Sequence, residues 1–138
     1  MAEPSDQALT VLQPTGWARP RGYSNGISAQ GRIVFVAGQI GWDAQCRLVS
    51  DGFAAQADQA LRNVVTVLAE AGARPEHIAR MTWYVTDKQE YLAASKAVGQ
   101  AYREIIGAHY PAMTAVQVSA LIEDGAKVEI EATAVVPG

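Results

Sequence analysis

The sequence predicts an α+β fold in which two helices cover one face of a mostly antiparallel sheet. Three observations predict it: apolar and polar residues alternate along 110–136, whereas apolar residues recur every three or four positions along 52–71 and again along 89–106. The 138 residues suit a single domain, 1–138, large enough for one hydrophobic core. Residues 1–8 are polar and are expected to form a disordered tail.

Two hairpins are predicted, one at each end of the chain. Residues 9–12 form a short first strand, and residues 23–29 pair with 33–37 across a turn that contains Gly31. The second hairpin joins the strand that contains Val116 to residues 128–136, because the intervening Glu-Asp-Gly sequence is a turn signal.

Between the hairpins lie the two helices and another strand. Asp51 is the predicted N-cap of the first helix, which ends near Gly72. Residues 78–85 form a strand, after which Asp87 or a neighbour caps the second helix. The strands provide more apolar surface than one layer of two helices needs, through Val116, Val118, Val128 and Ile130. Another subunit is therefore expected to cover the second face of the sheet.

Composition excludes several classes of function. A net charge of -3 disfavours nucleic acid as a partner, and no apolar run suits a membrane span or a signal peptide. The single Cys46 excludes an intramolecular disulfide, and too few Cys and His residues occur for a zinc site. A cytoplasmic protein without metal or cofactor is therefore expected.

The usual catalytic motifs are absent from the sequence. No phosphate-binding glycine loop and no Gly-x-Ser-x-Gly elbow occurs, and His77, His109 and Cys46 lack the neighbours of an activated nucleophile. The remaining enzyme hypothesis is a carboxylate that acts on a small substrate. Glu129 and Glu131 lie on one strand face, where they form either a solvated surface or part of a site.

Several segments, in this order and spacing, resemble the Rid family of imine and enamine deaminases, formerly called endoribonuclease L-PSP. The resemblance covers about residues 22–136. It rests on Tyr-Ser at 23–24, Val-Phe-Val-Ala-Gly-Gln-Ile at 34–40, Gln-Ala-Leu-Arg-Asn-Val at 59–64, Leu-Ala-Glu-Ala-Gly at 68–72, Tyr-Val-Thr-Asp at 84–87, Tyr-Pro-Ala at 110–112 and Val-Glu-Ile-Glu-Ala at 128–132.

The resemblance implies a chorismate-mutase-like fold, a homotrimer and small-molecule clefts between subunits. It also implies a catalytic role for Glu129 and a set of substrate-binding residues, which are Tyr23, Gly38, Gln39, Ser95 and Met113. Ser95 stands where deaminase members have Asn, and Met113 where they have an Arg that pairs with the substrate carboxylate. Arg19 or Arg21, in the loop just before Tyr23, is expected to substitute for that cation, and Arg21 is the favoured candidate.

The replacement by Met113 changes the expected substrate. A thioether carries no charge and donates no hydrogen bond, whereas a charge-assisted hydrogen bond contributes about 1.5–3 kcal/mol. The sequence therefore predicts an imine or enamine deaminase whose preference differs from 2-imino acids. The alternative is a non-catalytic trimer that binds a small metabolite, and an endoribonuclease or translation inhibitor fits the acidic chain least well.

Overall fold

The computed structural model describes residues 9–138, so the predicted tail at 1–8 lies outside the described residues and stays a prediction. The strands are β1 (Leu9–Leu12), β2 (Gly26–Ala29), β3 (Arg32–Ile40), β4 (Ile78–Val85), β5 (Ala112–Gln117) and β6 (Val128–Val136). The helices are α1 (Phe53–Glu70), α2 (Lys88–Ala93) and α3 (Ser95–Ile105), and a 3-10 turn at Pro75–His77 leads into β4.

The predicted C-terminal hairpin is wrong. The main sheet has the order β3-β6-β4-β5, so β4 lies between the two strands that were expected to pair. β5 runs parallel to β4, and β6 is antiparallel to both β3 and β4. β4 buries most of its residues, including Met81 and Trp83, and therefore takes a central position, while the Glu-Asp-Gly segment belongs to a longer connection between β5 and β6.

The predicted N-terminal hairpin is also wrong. β2 pairs with β1 in a separate two-stranded sheet, whereas β3 pairs with β6. Gly31 adopts a φ of 148°, and a Cβ built there would overlap the backbone carbonyl of Val136. The chain thus passes from one sheet to the other at Gly31, where the missing side chain lets β3 start against the end of β6.

The helices differ from prediction at their ends. α1 begins after Gly52, which has no side-chain cap, so the predicted capping by Asp51 is wrong. Asp87 does cap α2, since its carboxylate accepts hydrogen bonds from the backbone N–H groups of Gln89 and Glu90 at 2.8 and 3.2 Å. The predicted second helix is divided at Ala94 into α2 and α3.

The prediction that the helices cover one face of the sheet is confirmed. α1 packs on β3 and β6, and α3 packs against α1. Val128 and Ile130 are fully buried in this core, so they do not contribute to a second apolar face as predicted. The other face is open and exposes Phe35 by 77% and Val116 by 40%.

Candidate functional site

A bulge in β3 brings its backbone against Glu129. Val36 pairs with Ala132 and Gln39 with Ile130, so two residues of β3 stand opposite one residue of β6. A Cβ built on Gly38 would overlap the Glu129 carboxylate. Only a glycine allows this carboxylate to lie directly over the strand backbone.

The Glu129 carboxylate differs from its neighbour Glu131 in its partners. Tyr84 donates a hydrogen bond from its hydroxyl to Glu131 at 2.7 Å, and this bond raises the pKa of Tyr84. Within residues 9–138, no side chain forms a hydrogen bond or an ion pair with the half-buried Glu129. Glu131 is therefore held in place by a partner, and Glu129 is the one available to a ligand or water.

Met113 and Ser95 lie in a groove between the helices and β4–β5. Its volume is about 430 Å³. We call it the α3 groove, and its lining includes Trp83, Ser95, Gly99, Tyr102, Arg103 and Met113. Met113 aligns with the fully buried Met81 on β4, which shows that it lies on the helix-covered face of the sheet.

The loop that contains Tyr23 is attached beside this groove. Ser24 donates from its backbone N–H to Pro111 at 2.9 Å and from its hydroxyl to the Tyr110 carbonyl at 2.5 Å. Gly22 lines the groove, whereas Arg21 and Tyr23, on either side of it, do not. Tyr23 is 41% exposed.

Five of the predicted site residues thus fall into two groups on opposite faces of one sheet, whereas Arg21 and Tyr23 lie outside the α3 groove. Gly38 and Glu129 lie together at the bulge, and Gln39 is next to them, with its side-chain amide donating to the Ala37 carbonyl at 3.1 Å. Met113 and Ser95 lie in the α3 groove. The sheet separates the two groups, so one protomer cannot present both to one small molecule.

Sequence reasoning missed Trp83 and Arg103 as site residues. Trp83 lies in the strand predicted at 78–85, and its indole Nε1 is buried without a hydrogen-bond partner among the described residues. Arg103 lies in the helix predicted at 89–106, which was not assigned to a site. The signal that could have drawn attention to this side of the helix is Gly99, because a glycine in a helix interior costs about 1 kcal/mol relative to alanine.

The described residues offer few other sites. No group of three or more His, Cys, Asp or Glu side chains in residues 9–138 is placed to hold a metal ion. None of the helices in that range has the length and apolar character to cross a membrane.

Comparisons with known proteins cover nearly the whole chain. The sequence model of the family described as Endoribonuclease L-PSP matches residues 17–136. Protein DfrA of Myxococcus xanthus is 36% identical over 133 residues, which are 95% of this chain and 92% of that protein. Human 2-iminobutanoate/2-iminopropanoate deaminase is 34% identical over 105 residues, 75% of this chain and 73% of the relative.

Among solved structures, the Rid-family protein YyfB from Yersinia pestis, whose function is unknown, matches with a TM-score of 0.83 and 32% identity. The match covers 94% of this chain and 99% of that chain.

Proposed function

Because this chain belongs to the endoribonuclease L-PSP family, also called the Rid family, we propose that it is a hydrolase that deaminates a small imine or enamine in clefts between the subunits of a homotrimer. Relatives at about one-third identity are named 2-iminobutanoate/2-iminopropanoate deaminase, which supports this class of reaction. The observation that carries the proposal is the Glu129 carboxylate held over the backbone of Gly38 without a partner among the described residues.

The division of the site into two groups supports assembly. A ligand that contacts both Glu129 and Met113 needs a second protomer, because the sheet separates these side chains within one chain. The open sheet face also exposes Phe35 by 77% and Ile33 by 56%, and large apolar side chains exposed to this extent are typical of an interface.

In the proposed reaction Glu129 acts as a general base toward water. The carboxylate takes a proton from the water as the water oxygen adds to the imine carbon, and passes this proton to the nitrogen, which gives a carbinolamine. It then takes the hydroxyl proton of the carbinolamine and gives it to the amine as the carbon–nitrogen bond breaks. An imine and one water thereby give a carbonyl compound and ammonia. An enamine reacts after it tautomerises to the imine.

Met113 directs the substrate choice away from the smallest 2-imino acids. A methionine at this position cannot form the charge-assisted hydrogen bond that an arginine would form with the substrate carboxylate. The loss of about 1.5–3 kcal/mol corresponds to roughly ten- to a hundredfold weaker binding of a 2-imino acid. The α3 groove is apolar at this position, so the substrate needs either another cation or more apolar contact.

The direct test is turnover by the purified protein. Freshly generated 2-aminoacrylate, 2-iminobutanoate and an aminomuconate-type enamine are each mixed with the wild type and with Glu129→Gln, and ammonia release is followed. We expect acceleration above the buffer rate on at least one compound, and a loss of at least a hundredfold in Glu129→Gln. No acceleration on any of the three would remove the hydrolase proposal.

Replacement of Met113 provides a second test, with kcat/KM as the measured quantity. Met113→Arg restores a fixed cation, so we expect it to raise kcat/KM on 2-iminobutanoate by roughly tenfold or more. An unchanged value would mean that the missing arginine does not limit activity on 2-imino acids.

A second candidate is a trimer that binds a small metabolite without turnover, and Met113 is the observation that favours it. Loss of a substrate clamp harms a catalyst more than a binding protein. A rise in thermal stability with a carboxylate panel, without ammonia release from any imine, would establish this candidate instead. The nuclease activity in the family's older name fits a chain of net charge -3 poorly, and salt-sensitive RNA binding would reverse that ranking.

A further inference from the structure

Arg103 is the only cation among the residues that line the α3 groove, and no carboxylate lines it. Its guanidinium forms no hydrogen bond or ion pair with any side chain in residues 9–138. An arginine whose planar donors are free beside a concave apolar surface is suited to bind a carboxylate in bidentate geometry.

The Arg103 guanidinium lies beside Gly99 on the wall of α3. This glycine lies one turn before Arg103 on α3, and a Cβ built there would have the Arg103 Nη1 atom at 3.5 Å and no other non-local heavy atom within 4 Å. The guanidinium therefore lies along the helix wall at ordinary contact distance from Gly99, which itself lines the groove.

Trp83 combines a position in the groove wall with an unpaired donor. The residue is 3% exposed and lines the same groove, yet its Nε1 donor has no partner. An unpaired buried donor is unfavourable and calls for an acceptor.

The groove walls are aromatic. The ring of Trp83 meets that of Tyr91 edge-on with centroids 6.4 Å apart, and Tyr102 and Tyr110 are stacked at 5.7 Å with an interplanar angle of 12°. Such walls favour a planar, apolar ligand body.

We propose that Arg103 binds the carboxylate of the substrate in place of the arginine that Met113 replaces, and that the substrate class is an aromatic or conjugated imine or enamine carboxylate. This inference rests on the proposed function only for the identity of the reacting group, which is an imine or enamine. The body of the substrate lies along the aromatic wall, and its polar end faces Arg103. Such a compound is larger than 2-iminopropanoate and binds through apolar contact as well as through the cation.

Binding of stable 2-oxo acids to the assembled wild-type protein tests this without requiring turnover. We expect phenylpyruvate to bind more tightly than pyruvate in isothermal titration calorimetry. Arg103→Gln should weaken phenylpyruvate roughly ten- to a hundredfold, and Arg103→Lys should weaken it less, because the charge remains without the bidentate fork. Arg74→Gln removes an exposed arginine that does not line the groove, and should leave the affinity unchanged.

The outcomes separate this inference from the proposed function. If Arg103→Gln binds phenylpyruvate as the wild type does, or if the wild type binds neither acid, the role of Arg103 is refuted, whatever the imine assays show. If binding depends on Arg103 while no imine is hydrolysed, the site assignment stands and the hydrolase proposal fails. Tighter binding of pyruvate than of phenylpyruvate would overturn the proposed substrate class.

Discussion

Replacing Gly38 with alanine puts a methyl group where the Glu129 carboxylate now lies. The three nearest atoms to an ideal Cβ at this position all belong to the Glu129 side chain, and Cδ and Cγ are 2.8 and 2.9 Å away. Because Cγ is close to the backbone, a small rotation of the carboxylate cannot relieve the contact. The Glu129 side chain must leave its place, and the proposed base moves with it.

The size of the effect follows from packing. Overpacking of this kind costs about 1–3 kcal/mol, and the lower chain entropy of alanine in the unfolded state offsets about 0.4–1 kcal/mol. We therefore expect the free energy of unfolding to fall by about 1–2 kcal/mol, measured by denaturant unfolding at one fixed protein concentration. On an imine substrate that the wild type accepts, kcat should fall at least tenfold, since the base is displaced.

A double-mutant cycle provides the control. Glu129→Ala removes all three contacting atoms, so in that background Gly38→Ala should cost less than about 0.5 kcal/mol. Glu129→Gln keeps the shape of the side chain, and the full cost should persist. Equal destabilisation by Gly38→Ala in all three backgrounds would refute the contact, and unchanged kcat in Gly38→Ala would refute the role given to the position of Glu129.

Three further predictions concern the fold and its assembly. Asp87→Ala should destabilise the protein by about 1 kcal/mol, because Asp87 caps α2, whereas Asp51→Ala should change stability little; thermal unfolding distinguishes them. Burial raises the pKa of Tyr102 above its ordinary value of about 10, so the stability that the neutral phenol contributes is constant below about pH 10 and is lost above it. Because the Tyr102 hydroxyl donates a hydrogen bond to the His109 carbonyl at 2.6 Å, Tyr102→Phe should be about 1 kcal/mol less stable at neutral pH, and the difference should narrow above pH 10. Phe35→Asp should convert the proposed trimer to monomers in light-scattering measurements, whereas Val67→Asp, on the exposed side of α1, should not.

Each of these predictions has an outcome that contradicts it. Equal effects of the two aspartate variants would mean that the side-chain cap at Asp87 adds nothing. A stability difference between wild type and Tyr102→Phe that stays constant to pH 11 would contradict the raised pKa. A trimeric Phe35→Asp variant would place the subunit contacts elsewhere, and a monomeric wild type would remove the proposal of clefts between subunits.

The sequence was informative for structural features that depend on residues close together along the chain. The apolar spacing of α1, the apolar strand β4 and the capping residue Asp87 depend on interactions within a few positions, and all three were predicted from the residues. The segments shared with the Rid family likewise led to the family that the comparisons show. The pairing of Glu129 and Glu131 on one strand face followed from the two-residue period of a strand alone.

Tertiary structure decided the strand partners and the distribution of the site residues. Both predicted hairpins were wrong, because a turn signal shows that the chain bends but does not show which strand it then pairs with. β4 lies between β5 and β6, where most of its side chains are buried. The sequence also did not reveal that Arg103 and Met113 line one groove, because this groove forms only where the helices lie beside β4 and β5 in the folded chain. Local order is set by nearby residues, whereas the identity of a neighbour across the sheet depends on the burial of the whole chain.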